Sequence, residues 1–166
     1  MNLAFTTKWP NTMPDHLAGQ PTNFQVKIWK SFPEPLQVKH IRCYSPFSIK
    51  NIFNEKAKLH TIREDKKNRW KPGTDIHFII NNRTPQRYQF APILKCVSTQ
   101  KFEIFWQDLD LYPLAIPQVY VDGVWLIGQQ LQNLAINDGF NCLDDFFLYF
   151  NKNFTGKIIH WTNFKY

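Results

Sequence analysis

Apolar and polar positions change over in short runs along this chain, which suits strands of four to eight residues better than long helices. Leu3 to Thr7 reads as a short strand that Trp9-Pro10 ends, before a loop rich in Pro, Asn and Gly through Pro21. Thr22 or Asn23 is placed to cap a short helix carrying Phe24, Ile28 and Trp29, which Pro33 and Pro35 stop. A β-branched run from Leu36 to Tyr44 predicts a strand. Ser45-Pro46 then opens a helix whose apolar stripe is Phe47, Ile49, Ile52 and Phe53 and which ends near Lys56.

Leu59 to Arg63 reads as the next strand. Residues two apart share a face, so Lys58 can act beside Thr61 only from the turn before that strand, curled back over it. Asp65 to Trp70 is a polar loop and Lys71-Pro72-Gly73-Thr74 a turn. Strands are expected at Asp75–Ile80, Tyr88–Phe90, Ile93–Ser98 and Lys101–Trp106, with a basic loop from Asn81 to Arg87 and an edge or bulge at Pro92. Asp108 to Pro117 shows no clear periodicity. Val119 to Ile127 is the clearest hairpin, because Asp122-Gly123 suits a two-residue type I′ turn. A helix from about Gln129 to Asn137 has Gly139 just beyond its end, and a second, capped by Asn141, buries Leu143, Phe146, Phe147 and Phe150. Gly156 precedes a last strand, Lys157 to Thr162.

Many short strands with two or three helices predict an α+β fold, a barrel-like sheet with the helices packed against it. Parallel α/β is disfavoured, since strands and helices do not alternate and no glycine-rich phosphate loop is present. At 166 residues, 43% hydrophobic and 16% aromatic, one domain with a real core is expected. The three cysteines, Cys43, Cys96 and Cys142, are far apart and without C-x-x-C spacing, so they read as small buried hydrophobes in a reducing compartment. Neither metal nor cofactor is expected, because His16, His40, His60, His77 and His160 are scattered. With no signal-peptide pattern and no run of about 18 apolar residues, the expectation is a cytoplasmic protein away from membranes.

Charge changes this picture most. The net +7 is uneven: residues 46–99 carry +7 and residues 100–150 carry −6. Lys56 to Gly73 holds seven Lys or Arg and two acids, together with His60, Thr61 and Trp70. A segment that repels itself so strongly fits a polyanionic partner, although charge runs are often only solvated. Phosphate attraction of this kind is independent of sequence and sensitive to salt.

Lys58-Leu59-His60-Thr61-Ile62-Arg63, followed by Trp70-Lys71-Pro72-Gly73, resembles the G-x-K-x-x-T-x-R signature of the ASCH domain family, and Asp138-Gly139-Phe140 with the helix after it is similar to that family's acidic-Gly-Phe element. The resemblance covers roughly Ile41 to Trp161, which sets residues 1–40 apart as an extension packed on a domain of residues 41–166. Where the family has Gly, two residues before the motif lysine, this chain has Lys56. The resemblance implies a PUA-like β-barrel with a cleft for RNA or a nucleotide. One enzymatic branch removes an acyl group from a modified cytidine, and by that likeness Lys58, Thr61 and Asp138 would be catalytic.

The chemistry of such a set is definable. Thr61 needs a base to take its proton, and Lys58 serves only if burial lowers its pKa well below the ~10.4 of free lysine. Asp138 would pass a proton to the leaving amine or orient Lys58; its place at a helix end opposes the macrodipole by ~0.3–1 kcal/mol. Arg63, Trp70, Lys56, His60 and Arg83 are the binding candidates: Arg63 as a planar fork for phosphate, Trp70 as a stacking platform or equally a core lid, His60 as a hydrogen-bonded structural group or a ligand contact. Two readings stay open, a module that binds RNA or a nucleotide and a hydrolase of an acylated nucleoside. A ribonuclease would need a general base near Lys58 that the sequence does not offer.

Overall fold

The computed structural model describes residues 1–34, 55–107 and 116–166. The strand expected at 36–44, the helix at 45–56 and most of the 108–117 connection fall outside them.

Two sheets carry the fold. The first joins β1 (Asn2–Phe5), β3 (Asp75–Ile80), β4 (Tyr88–Gln89) and β5 (Leu94–Lys95), with β3 as the common partner. The second has β2 (His60–Arg63), β9 (Phe154–His160), β6 (Ser98–Phe105), β7 (Gln118–Val121) and β8 (Val124–Leu126), in that order. Three helices accompany them among the described residues, α1 (Phe24–Lys30), α2 (Gly128–Asn137) and α3 (Leu143–Tyr149). The chain is therefore α+β, and its ladders do not close into a barrel among the described residues.

Local sequence accounts for much of this. β6 alternates strictly, turning Ser98, Gln100, Phe102 and Ile104 inward. The β7–β8 hairpin turns at Asp122 (φ 49°) and Gly123 (φ 81°), the two positive dihedrals that a type I′ turn requires. Asp122 also accepts hydrogen bonds from the Lys101 N–H (2.7 Å) and from Gln100 Nε2 (2.9 Å), which ties the turn to β6.

Other elements differ from the expectation for tertiary reasons. β1 pairs in parallel with β3, Asn2 to His77 through Phe5 to Ile80, so the first residues form part of a sheet. Phe5 stacks on Phe78 at 6.1 Å and meets Phe90 and Trp161 edge-on, which places this strand inside the shared aromatic core. Gly156 lies within β9, not before it; a Cβ there would stand 2.5 Å from the Arg63 carbonyl, so its bareness lets β2 approach. The N-cap of α3 is Cys142, with no side-chain cap. Asn141 does not cap it, because its Oδ1 accepts a hydrogen bond from Lys27 Nζ at 3.0 Å. Asn23 likewise makes no capping bond at α1, while its alternative, Thr22, accepts the Phe24 N–H on Oγ1 at 3.4 Å. Cys96 is buried, but Cys142 is exposed, contrary to the reading of all three cysteines as core.

The end of α2 is a full Schellman motif: the Gly139 N–H donates to the Ile136 carbonyl and the Phe140 N–H to that of Ala135. Gly139 has φ 95°, and a Cβ added to it would stand 2.9 Å from the Phe24 ring and 3.0 Å from Lys58 Cδ. Gly139→Ala is therefore expected to destabilise the protein by ~1–3 kcal/mol, read as a lowered urea midpoint at unchanged slope.

Candidate functional site

Lys58 and Asp138 meet at the point where α2 ends beside β2, the edge strand of the second sheet among the described residues. Lys58 lies before the strand, in the irregular segment that follows Glu55, as the spacing to Thr61 requires. Its amide donates to the Lys27 carbonyl (2.9 Å) and the next amide, of Leu59, to that of Asn137 (2.8 Å), so the segment is clamped between the ends of α1 and α2. Lys58 Nζ then donates to Asp138 Oδ1 at 2.9 Å and to the Asp138 carbonyl. The same carboxylate oxygen accepts the Ile62 N–H at 3.0 Å, a donor that no ladder among the described residues uses.

A second lysine completes the arrangement. Lys27, also buried, donates to the Gly139 carbonyl (2.8 Å), and Glu55 stands 3.6 Å away. Two ammonium groups thus satisfy the carbonyls that end α2 and offset the negative pole of its dipole, which Asp138 alone would aggravate. Lys58 also lies 4.8 Å from the centroid of the Phe24 ring, a cation–π contact with the segment expected to be an extension.

Burial sets the electrostatics. Lys58 is 1% exposed, and desolvation lowers its pKa to about 8 despite the opposing pull of Asp138. Burial lowers Lys27 as well. Burial pushes Asp138 upward, but Lys58 and His60 outweigh it and hold the carboxyl below its ordinary value. His60 Nδ1 lies 3.6 Å from Asp138 Oδ1, beyond hydrogen-bonding distance, while Nε2 is 2.7 Å from the Tyr166 hydroxyl, which also accepts from Asn137 Nδ2 at 3.0 Å.

The remaining candidates are dispersed. Thr61 is buried beside this centre, yet no hydrogen bond among the described residues links its hydroxyl to Lys58 or Asp138, and strand alternation turns it away from the His60 face. Arg63 donates to the Ala4 carbonyl at 2.8 Å and stands over the Phe5 ring, which ties it to β1. Trp70 is 5% exposed and belongs to the core, so of its two readings the core one holds and the stacking platform does not. The cause is Asp65, whose two oxygens accept the Arg69 and Trp70 N–H groups at 2.9 Å and turn the loop so that the indole points inward. Lys56 and Arg83 are exposed, with no ion pair among the described residues, Arg83 at φ 66° in the 81–87 loop. No described group of three His, Cys, Asp or Glu is placed to hold a metal ion, and no described helix is long and apolar enough to cross a membrane.

Sequence reasoning missed Lys27, Asn141, Tyr166 and His160. Lys27 carried a signal: it sits within Phe24-Gln25-Val26-Lys27-Ile28-Trp29, a helix buried on nearly every side, where a lysine has to find a buried acceptor. Tyr166 carried none, because its hydroxyl meets His60 across 106 residues.

Lys58→Met is expected to cost ~3–5 kcal/mol, since it strands Asp138 as an unpaired buried charge. Adding Asp138→Leu should recover part of that loss, and strictly additive urea-denaturation energies would show that the two groups are not coupled. His160 is held at a pKa of about 3, first by burial and then by His60, against an ordinary value of 6.5. The unfolded chain therefore binds the extra proton, so this contribution is whole above pH ~6.5 and drains away toward pH ~3, at up to ~1.4 kcal/mol per pH unit. His160→Phe should flatten that acid slope, as measured by denaturation midpoints at pH 7, 5 and 4.

Compared with known proteins, the chain matches no family model, no curated protein and no solved structure.

Proposed function

We propose that this protein is an RNA- or nucleotide-binding module of the ASCH, PUA-like kind. The observation that carries this reading is the division of its charge. Lys58 and Asp138 are spent inside the protein, whereas Lys56, Lys66, Lys67, Arg69 and Lys71 all stand exposed along one stretch. Among the described residues only Lys66 of these five has an acidic partner, Glu64 at 3.1 Å, a surface pair of little energy. Beside them runs an open groove of about 490 Å³, whose lining includes Lys66, Asn68, Thr99, Lys101, Thr155 and Lys157. Glu64 and Asp65 line it too, and its three ammonium groups are each paired, Lys66 with Glu64, Lys101 with Glu103 at 2.7 Å and Lys157 with Asp65 at 3.4 Å, so in this reading the groove offers hydroxyls and an amide to a sugar while phosphate falls to the exposed cations beside it. The barrel belongs to this reading too, supported by two sheets that share one aromatic core.

The hydrolase reading keeps one observation in its favour. A lysine brought to about 8 is roughly one-tenth neutral at pH 7, enough to serve as a base. Against it, Lys58, Thr61 and Asp138 are each 5% exposed or less, and the Phe24 ring lies against the ammonium.

Binding of a short single-stranded RNA should fall by an order of magnitude or more between about 50 and 200 mM salt, and reversing Lys66, Lys67 and Arg69 to Glu should abolish it with the fold intact. Affinity indifferent to salt, measured by fluorescence anisotropy, would refute the reading. Hydrolysis of acylated cytidine that disappears in a folded Lys58→Met variant would instead establish the alternative.

A further inference from the structure

All the buried side-chain nitrogen and oxygen atoms that lack a hydrogen-bond partner, among the described residues, fall in one place: His60 Nδ1, Ser98 Oγ and both ring nitrogens of His160. The register explains the grouping. His160 faces His60 on β2 and Ser98 on β6, so the three side chains form a row across adjacent strands on one face of the second sheet. His60 and His160 are wholly buried and Ser98 is 5% exposed. His60 Nδ1 faces the Asp138 carboxylate at 3.6 Å, but Ser98 Oγ and both His160 nitrogens have no partner among the described residues; unpartnered polar groups at such depth are rare in folded proteins, and three side by side point to something the row is built to hold.

Tyr166 shows what shape fits there. Its ring lies 5.4 Å from the His60 ring and 6.4 Å from that of His160, and its hydroxyl is read by His60 Nε2 and Asn137 Nδ2. Gln100, the next inward residue on β6, holds the Tyr166 backbone at both ends, accepting from its N–H (3.0 Å) and donating to its carbonyl (3.1 Å). On its other side Tyr166 borders a hollow of about 120 Å³ with Val121, Asp122, Val124, Leu126 and Gln130.

We propose that Ser98, His160, His60, Gln100 and Asn137 form a binding site for an uncharged nucleobase, in which Tyr166 stands as a displaceable ring. A phenol has one polar atom and leaves the row unanswered. A base is equally planar but carries donors and acceptors on several edges, which can meet the Ser98 hydroxyl and the donor and acceptor of a neutral imidazole. Burial keeps both histidines neutral, and the carboxylate of Asp138 faces His60 from behind, so the site offers nothing to a phosphate. The hollow beside Tyr166 supplies room for the attached sugar. Choosing a base over other planar heteroaromatic rings rests on the nucleic-acid reading above.

The test is calorimetric titration of the full chain with adenosine, guanosine, cytidine and uridine, which lack the phosphate that the basic segment attracts. Tyr166→Ala is expected to bind at least one of them tenfold or more tightly than the parent protein. In that background Ser98→Ala should weaken binding about three- to tenfold, as loss of one hydrogen bond does. His160→Phe should abolish it while raising the melting temperature, because it removes two unsatisfied polar atoms and keeps the ring. A folded Tyr166→Ala variant that binds no nucleoside overturns the proposal, and so does binding that neither Ser98→Ala nor His160→Phe alters. Should Tyr166→Ala fail to fold, Tyr166→Phe keeps the ring and the Gln100 contacts but loses the hydroxyl bonds; at least threefold tighter nucleoside binding is then expected, and no gain overturns the site. RNA retained without nucleoside binding removes this site and leaves the nucleic-acid reading standing, whereas nucleoside binding without RNA retention does the reverse.

Discussion

The contact between Lys58 and Asp138 is the constraint on which most of this structure depends. One ammonium ends a helix, pairs a carboxylate and, through that carboxylate, occupies the open edge of a strand. These three tasks involve α2, β2 and residues 55–59 just before β2, and together with the Lys27 bonds to Gly139 and Asn141 they tie both helices to the second sheet. Buried charge pairs are weak evidence for net stability, because desolvation offsets much of their attraction. Their value here is positional: any other arrangement of these elements would leave a lysine or an aspartate alone in the interior.

Neighbouring features follow from that pair. Gly139 has to be bare, since the Lys58 stem and the Phe24 ring fill the space where its side chain would stand. Lys27 has to reach the next carbonyl, which draws Asn141 away from its own helix. The depressed pKa of Lys58 is a by-product of the same burial. A lysine perturbed in this way is a usual mark of catalysis, yet a structural ion pair perturbs it by the same physics. Accessibility separates the two cases, and it directs the functional reading to the exposed cations and to the polar row behind Tyr166.

In the proposed function the two surfaces would divide the work, the exposed lysines and arginines serving phosphates without regard to sequence and the neutral polar row serving a base. They lie on opposite faces of the second sheet: Lys101 and Lys157, in the groove, alternate with Gln100 and Ile158 on the inner side.

Sequence by itself determined whatever local stereochemistry dictates. Asp122-Gly123 specified its turn, Gly139 its helix end, the alternation in β6 its inner face, and the uneven charge its exposed basic stretch, since each depends on residues only a few positions apart. Lys58 and Asp138 were also legible as partners, through a motif whose two halves lie 80 residues apart. Only the tertiary structure decided that they meet in a sealed interior, that Trp70 turns inward, that β1 joins a sheet in parallel, and that Ser98, His60, His160 and Tyr166 share one buried place. The reason is physical: burial and desolvation depend on everything that packs around a group, and those neighbours are brought there by strand register and helix docking, not by spacing along the chain.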